Sequence, residues 1–362
     1  MYRLLCFLSV LCFVDVQGWG SFKKVSSQSR SRHVDPECYM DSPQLIADNG
    51  FVSETHLVTT KDGYILQIFR VKPNTDNRPV VFLQHGLTSS SDIFLLNRRY
   101  GSLPFILNEQ VTGRKKVFYV GHSQGTEMGF MGFSSNPDLA SKISLFTALA
   151  PIARISYAKG LIAALKDLVD LEGVLYWLLG NRQFDPPSAV ALYFATKICP
   201  EDAITMGLCE TLDSLVSGFD ISNYNKTRYP IYQAHGDQST STKDIIHWAQ
   251  LLRYKRVQKF DYGSEKANMD RYNQTTPPLY NITNMRVPTV LVAGGNDWLG
   301  DTRDVMWLIK TIYPSIVKVM FIDKYNHDDY LLGMDAPERV FKPVLEIMDR
   351  FLKGERITQT LI

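Results

Sequence analysis

The segment Gly-His-Ser-Gln-Gly at 121–125 is the strongest candidate for chemistry in this chain. It follows the apolar run 116–120 and precedes a stretch rich in small residues. A strand that turns sharply into a helix crowds its own backbone, so small residues are needed on both sides of the central serine. Such a turn exposes the hydroxyl of Ser123 above the strand end, where it can attack a carbonyl carbon. A serine in an ordinary glycine-rich turn is the alternative interpretation.

A nucleophilic serine needs a base that takes its proton and a carboxylate that orients the base. Asp297 follows the apolar run 289–293, and His327 follows the apolar run 317–322. Their order after Ser123, acid and then histidine, is the one that accompanies a nucleophile of this kind. Taken singly, Asp297 is compatible with a turn aspartate and His327 with a loop histidine. Together with Ser123 they predict a catalytic triad.

Acyl transfer also requires N–H donors for the negative charge that develops on the carbonyl oxygen. The backbone amide of Gln124, directly after Ser123, is the first candidate. The second candidate is the amide of Leu87, in the loop that follows the apolar run 79–83. We therefore predict an oxyanion hole formed by these two amides.

Five apolar runs without alternation predict strands that are buried on both faces, as in a parallel sheet. Helix-like stretches separate them, and strands that alternate with helices indicate a doubly wound α/β sheet. Two earlier segments, 52–60 and 63–71, predict strands of a meander that leads into this sheet. The five runs are 79–83, 116–120, 143–149, 289–293 and 317–322, and the main helical stretches are 104–110, 126–134, 304–312 and 337–352.

The region 154–286 interrupts this alternation and is predicted to be an inserted cap. It contains an apolar helical candidate at 161–179, interpreted as a lid; an ordinary buried cap helix is the alternative. The predicted organisation is a signal peptide at 1–18, a core in two parts at 19–153 and 287–362, and the cap between them.

The chain begins like a secretory protein. A basic start, the apolar run 4–14 and small residues at 16–18 predict a cleaved signal peptide, and the run is too short to span a bilayer of about 30 Å. In an oxidising compartment the ten-residue spacing of Cys199 and Cys209 favours a disulfide, while three buried thiols, with Cys38, are the alternative. Three sequons agree with export and predict glycosylation at Asn225, Asn273 and Asn281.

The composition excludes several classes of protein. The chain has 362 residues, is 45% hydrophobic, and carries 39 Lys and Arg against 37 Asp and Glu. This composition is typical of globular proteins and not of disordered ones. A formal net charge of +2 leaves no basic surplus for a phosphate backbone, so nucleic acid is not an expected partner. The sequence carries no signal for the oligomeric state.

With these motifs, the sequence resembles the acid lipases of the α/β-hydrolase fold, the family of gastric and lysosomal acid lipases. The resemblance implies hydrolysis of triacylglycerol or cholesteryl esters at a lipid surface, a lid, no cofactor, no metal, and a secreted or lysosomal location. It also places the family's nucleophile, acid and base on Ser123, Asp297 and His327, and its oxyanion amides on Leu87 and Gln124. The matching segments are Asp-Gly-Tyr-Ile-Leu at 62–66, Gln-His-Gly-Leu at 84–87, Gly-His-Ser-Gln-Gly-Thr at 121–126, Ala-Leu-Ala-Pro at 148–151, Tyr-Asn-Gln-Thr-Thr-Pro-Pro at 272–278, Gly-Gly-Asn-Asp at 294–297 and Met-Asp-Ala-Pro at 334–337.

The chain departs from this family in one block. Only 35 positions separate Gly86 from Gly121, where acid lipases typically carry a helix, another buried strand and a second helix. We therefore expect a sheet one strand and one or two helices short, and a catalytically impaired, lipid-binding or vestigial protein is the alternative function. A peptidase or thioesterase of the same fold is a third hypothesis, which the cap disfavours. A smaller departure is Asp328, whose carboxylate is expected either to raise the pKa of His327 or to compete for its N–H group.

Overall fold

A five-stranded parallel sheet forms the centre of the fold. Its strands lie in the order β3 (Val81–Gln84), β4 (Val117–His122), β5 (Ile143–Leu149), β8 (Thr289–Gly294) and β9 (Ile316–Ile322). Every adjacent pair is parallel, and helices occupy the connections. The predicted α/β-hydrolase class is therefore confirmed at the level of the sheet. The computed structural model describes residues 34–72, 79–110, 116–171, 183–184, 199, 206–236, 238–355 and 357.

The inner strands are buried as their apolar sequences predict. Every residue of β8 is buried, as is every residue of β4 after Val117 and all of β5 except Ser144. Phe146 of β5 packs against Phe130 and Tyr119, with ring centroids 4.9 and 5.4 Å apart. These contacts join the two strands to the helix that follows β4, and so support the turn between them.

The first two strands do not join this sheet. β1 (Ser53–Thr59) and β2 (Ile65–Val71) form a separate antiparallel hairpin, and β3 pairs only with β4 among the strands that the structure describes. The predicted meander into the sheet is therefore wrong, because β1 and β2 pair with each other and no described strand bridges β2 and β3. Between Gln84 and Val117 the described residues form only helical elements. The expected shortage of one strand agrees with this arrangement.

The helices have clear start signals where they flank the core. Asp41 and Gln44 form a reciprocal capping box at the first helix, and Asp301 caps the helix before β9. The α-helices are α1 (Ser42–Asp48), α2 (Arg98–Gly101), α3 (Leu103–Gln110), α4 (Gln124–Ser135), α5 (Pro137–Ala140), α6 (Met206–Ser217), α7 (Tyr229–Gly236), α8 (Thr242–Tyr254), α9 (Glu265–Tyr272), α10 (Thr302–Ile312), α11 (Asp329–Leu332) and α12 (Lys342–Leu352).

Shorter helical segments complete the element list. The predicted closing helix at 337–352 is a π-helical turn, Pro337–Phe341, that continues into α12. The other segments are 3-10 helices at Pro36–Tyr39, Ser91–Phe94, Ile162–Leu171, Ile221–Asn223, Lys226–Arg228, Ile282–Asn284 and Tyr313–Ser315.

The predicted cap region contains α6 to α9 and a small antiparallel pair, β6 (Gln183–Phe184) with β7 (Thr240–Ser241). The helix expected at 161–179 is a 3-10 helix at Ile162–Leu171, and residues 172–179 lie outside the described residues. Cys199 and Cys209 form a disulfide with Cα atoms 6.1 Å apart, as predicted, and Cys38 is buried. The boundaries of the cap stay a prediction.

A buried polar cluster ties the N-terminal 3-10 turn to α7. His235 contacts the Asp92 carboxylate through Nδ1 at 3.1 Å and the Glu37 carbonyl through Nε2 at 2.9 Å. Both partners are acceptors, so an imidazolium with two N–H donors satisfies both contacts. Burial lowers the pKa of His235, but the hydrogen bonds and charges of its partners raise the pKa above 6.5 overall.

No helix in the described part of the chain has the length and apolar character needed to cross a bilayer. The predicted signal peptide at 1–18 lies outside the described residues.

Candidate active site

Ser123 occupies the sharp turn between β4 and α4. The strand ends at His122 and the helix begins at Gln124, and Ser123 has φ 56° and ψ −123°, a strained conformation for a non-glycine residue. A Cβ atom on Gly125 would lie 2.2 Å from the carbonyl oxygen of Gln84, and one on Gly121 would lie 2.6 Å from the backbone of Gly125. The two flanking positions therefore require glycine, as the sequence predicts.

Ser123, His327 and Asp297 form a continuous hydrogen-bonded chain. The Ser123 Oγ lies 2.7 Å from His327 Nε2, and His327 Nδ1 lies 2.9 Å from Asp297 Oδ1. The carboxylate can only accept, so Nδ1 carries the donated proton and Nε2 is left to accept the serine proton. All three residues are buried, and they follow β4, β9 and β8 respectively. The structure thus brings the three predicted residues together.

Backbone amides fix the Asp297 carboxylate. Its Oδ1 accepts from the N–H groups of Leu299 at 3.0 Å and Gly300 at 2.7 Å, in addition to His327. The Tyr330 hydroxyl lies 3.4 Å from Oδ2. With these donors on the carboxylate, its orientation toward the imidazole is set by the loop itself.

The electrostatics favour proton acceptance by His327. Burial lowers the pKa of His327, but the charge and hydrogen bond of Asp297, with the charge of Asp328, raise it above 6.5 overall. The expectation that Asp328 raises the pKa of this histidine therefore agrees with the structure. The histidine is a stronger base than free imidazole, and its protonated form is stabilised.

A second histidine, His122, contacts the backbone of His327. Burial lowers the pKa of His122 to about 3, so His122 is neutral over the physiological range. Its Nε2 lies 2.8 Å from the carbonyl oxygen of His327, and the Nε2–H group donates to that oxygen. His122 lies inside the Gly-His-Ser-Gln-Gly motif, but the motif alone does not reveal this contact.

Residues 217–224 of the predicted cap form hydrogen bonds with the two loops that carry Asp297 and His327. The Ser217 carbonyl accepts from the N–H groups of His327 at 3.0 Å and Trp298 at 3.3 Å. The Asn326 amide donates to the Gly218 carbonyl at 3.1 Å, and the Tyr224 hydroxyl donates to Asn326 Oδ1 at 3.1 Å. The predictions from sequence missed these contacts, because a backbone carbonyl about a hundred residues from its partner leaves no pattern in the chain.

The two predicted oxyanion amides lie beside the serine. A Cβ atom on Gly86 would lie 2.9 Å from the Ser123 Cβ, so the loop that carries Leu87 packs against the nucleophile. The Gln124 side chain donates to Asp244 Oδ1 at 2.8 Å and turns toward α8. Neither the Leu87 N–H nor the Gln124 N–H makes a hydrogen bond to another described residue. Within the described part of the chain both amides thus lack an acceptor, and their role in catalysis stays a prediction.

Other predicted features lie outside this chain of hydrogen bonds. Asn273 and Asn281 are exposed and Asn225 is partly exposed, so glycosylation of the three asparagines stays sterically open and untested. Within the described residues, no group of three or more histidine, cysteine or carboxylate side chains is arranged to hold a metal ion.

Comparison with known proteins gives the family of the chain. A family model described as a partial alpha/beta-hydrolase lipase region matches residues 42–98. The chain is 34% identical over 374 positions to human lysosomal acid lipase/cholesteryl ester hydrolase, with 88% of this chain and 93% of the relative covered. It is 34% identical to mouse gastric triacylglycerol lipase over 369 positions, with 86% of this chain and 92% of the relative covered. The chain belongs to the acid lipase family. Human lipase member K is a further relative, 33% identical over 382 positions and covering 90% of this chain and 94% of the relative.

The acid lipase relatives are longer within the aligned region. The alignment with the human lysosomal enzyme has 374 positions but spans 88% of the 362 residues, about 319 residues, so about 55 positions of the relative face gaps. This agrees with the expected loss of a strand and its flanking helices. The chain is a lipase or esterase by family, and its relatives are lysosomal and gastric enzymes, in agreement with the predicted secreted or lysosomal location.

Proposed function

We propose that this acid lipase hydrolyses carboxylic esters of neutral lipids, triacylglycerol or cholesteryl ester, through an acyl-enzyme on Ser123. The observation that supports this most is the hydrogen-bonded chain from Ser123 through His327 to Asp297, at 2.7 and 2.9 Å. The substrate class rests on the relatives, which are named as a cholesteryl ester hydrolase and a triacylglycerol lipase.

The mechanism has two acyl-transfer steps. Ser123 Oγ attacks the ester carbonyl while His327 Nε2 takes its proton, and the carbonyl oxygen becomes an oxyanion held by the amides of Leu87 and Gln124. His327 then gives the proton to the leaving alcohol, which breaks the ester bond. Water repeats the sequence on the acyl-enzyme and releases the fatty acid. Throughout, Asp297 stabilises the imidazolium and does not take its proton.

One segment of the predicted cap is a candidate lid that controls the access of lipid to the site. The 3-10 helix Ile162–Leu171 has an apolar sequence, and we propose that it belongs to a lid that contacts the lipid surface. A buried cap helix with the same apolar face fits equally well when the lid is closed.

A second candidate function is an impaired, lipid-binding form. The observation that favours it is the partial exposure of β3, the strand that leads to the Leu87 loop and lies at the edge of the sheet among the described strands. If the edge moves, the Leu87 amide moves with it. This would weaken oxyanion binding without removing Ser123, His327 or Asp297.

The test compares full-length secreted protein with Ser123→Ala and with Ser135→Ala, an exposed serine at the end of the same helix. Hydrolysis of emulsified triolein, cholesteryl oleate and p-nitrophenyl butyrate is measured, together with labelling by a fluorophosphonate probe. We expect lipid hydrolysis and labelling that vanish only in Ser123→Ala. Labelling without lipid hydrolysis would establish the impaired form, and absence of labelling in the folded protein would refute the proposed nucleophile.

A further inference from the structure

A cavity of about 530 Å³ lies between the β1–β2 hairpin and the edge of the central sheet, outside the triad. One wall is the hairpin, with Val58, Ile68 and Val71, and the other is the β3 segment 79–83. Phe94, Leu95 and Leu107 are among the residues that close it on a third side. The lining is mostly apolar, and the cavity is open to solvent.

The β3 wall presents unpaired backbone groups to this cavity. The Phe118 N–H donates to the Val80 carbonyl at 2.9 Å, which fixes the ladder between β3 and β4. In a parallel ladder, alternate residues point their N–H and C=O groups to opposite edges. The groups of Phe82 therefore face β4, and those of Val81 and Leu83 face the cavity. No described residue bonds to the latter on that side.

The side chains of the two walls are also uncovered. Val80 is 54% exposed, Phe82 is 36% exposed, and Val58 on the hairpin is 43% exposed. Strands of a parallel sheet are normally buried on both faces, as β4 and β8 are here. An open apolar edge of this kind is a template for another strand.

The apolar side chains and the backbone groups that line the cavity favour one class of ligand. An acyl chain could cover the apolar side chains but has no donor or acceptor for Val81 and Leu83. The hairpin stands on the other side of the gap, so the edge of a second copy's whole sheet does not fit between the walls. An extended peptide offers both alternating backbone groups and apolar side chains.

We propose that the cavity between β2 and β3 is a binding site for a β-strand of a partner protein, an extended segment with alternating apolar side chains that pairs with the free edge of β3. The partner's backbone binds Val81 and Leu83, and its side chains pack on the hairpin and on β3. The proposal does not rest on the ester hydrolysis proposed above, so either proposal can fail without the other.

The probe is a fluorescent peptide that copies residues 116–122, the β4 sequence that already pairs with the opposite edge of β3. Binding to the full-length protein is followed by fluorescence anisotropy, with a scrambled peptide of the same composition as control. Val81→Pro removes the N–H that faces the cavity but leaves the β4 ladder intact, and Val81→Thr is its matched control because it keeps the N–H. We expect saturable binding that is weakened about tenfold by Val81→Pro and preserved in Val81→Thr.

A second pair of variants covers the case in which Val81→Pro does not fold, which thermal unfolding reports. Val58→Glu places a charge on the hairpin wall, and Leu57→Glu places one at an exposed position that does not line the cavity. Only Val58→Glu should weaken binding. Hydrogen exchange of segment 79–84 should slow when the peptide is added, because Val81 and Leu83 become hydrogen-bonded.

Four outcomes would overturn the proposal. They are equal affinity for the scrambled peptide, equal affinity of the Val58→Glu and Leu57→Glu variants, displacement of the peptide by oleate below its micellar concentration, and a dimer in sedimentation experiments that Val81→Pro dissociates. The third would assign the cavity to a lipid, and the fourth to a second copy of this chain.

Discussion

Replacement of Asp297 by asparagine separates the charge of the proposed catalytic acid from its geometry. Oδ1 of Asp297 accepts three hydrogen bonds, from His327 Nδ1 and from the amides of Leu299 and Gly300. An asparagine oxygen can accept all three, while its NH₂ group would face the Tyr330 hydroxyl, which can accept. We therefore expect Asp297→Asn to fold and to keep the imidazole oriented with the same tautomer.

The loss of activity then comes from the missing charge. At an effective dielectric constant of 20, a carboxylate about 4 Å from an imidazolium stabilises it by on the order of 4 kcal/mol. Because each 1.36 kcal/mol is a tenfold change in rate, kcat should fall about 10³-fold in Asp297→Asn. The loss should be smallest at low pH, since the pKa of His327 falls when the anion is removed and more of the variant's imidazole then stays unprotonated than in the parent.

The assay is kcat and kcat/KM for p-nitrophenyl butyrate from pH 4 to 9, with Ser123→Ala as the blank and thermal unfolding as the check on folding. Asp297→Ala is the comparison variant, because it leaves the Leu299 and Gly300 amides without their acceptor and should also lower stability. A folded Asp297→Asn protein that loses less than tenfold in kcat would show that Asp297 does not stabilise the imidazolium.

Three further predictions follow from other parts of the structure. In Asp328→Asn the pKa of His327 should fall, because a nearby negative charge is removed, so the acid limb of kcat/KM against pH should move to lower pH. Replacing both Cys199 and Cys209 by serine should lower the free energy of unfolding by about 2 to 3 kcal/mol, measured by denaturant titration, since the disulfide closes a loop of ten residues. The His235 imidazolium should stabilise the fold fully below about pH 6.5 and progressively less as pH rises through its raised folded-state pKa, so His235→Gln should flatten the dependence of unfolding free energy on pH above about 6.5.

Each of these predictions has a contradicting result. Asp323→Asn, at an exposed aspartate just after β9, is the control for the pH shift, and an equal shift in both variants would contradict a specific effect of Asp328. Equal stability of the double serine variant and the parent, each under oxidising conditions, would mean that the disulfide does not constrain the unfolded chain. A pH dependence unchanged in His235→Gln would mean that the imidazolium is not preferred in the folded state.

The central strands and the triad could be predicted because their signals are local. The runs 143–149 and 289–293 are apolar without alternation, and the structure has strands at Ile143–Leu149 and Thr289–Gly294. A catalytic residue directly after such a strand is placed at the carboxyl edge of the sheet by the strand itself. Ser123 is fixed further by the two glycines that the tight turn requires.

The pairing of the strands and the contacts that hold the catalytic groups could not be predicted, because they depend on distant parts of the chain. The sequences of β1 and β2 indicate strands but not their partners, so they predict a meander where the structure has a separate hairpin. The Ser217 carbonyl, which holds His327 and Trp298, comes from the end of a cap helix and has no side-chain signature. Here the sequence predicts the reacting groups, and the contacts that keep them in place appear only in three dimensions.

Only one strand, β3, connects the block that this chain lacks with the proposed catalytic groups. Ser123, Asp297 and His327 follow β4, β8 and β9, whereas only the Leu87 loop follows β3, the strand at the open edge. Loss of a neighbour for β3 therefore weakens at most one of the two proposed oxyanion donors. One such donor is typically worth about 10² to 10³ in turnover, which is the impairment expected where the edge of the sheet displaces only the Leu87 amide. A folded chain with a larger deficit would need a second defect, in the triad itself or in access of lipid through the cap.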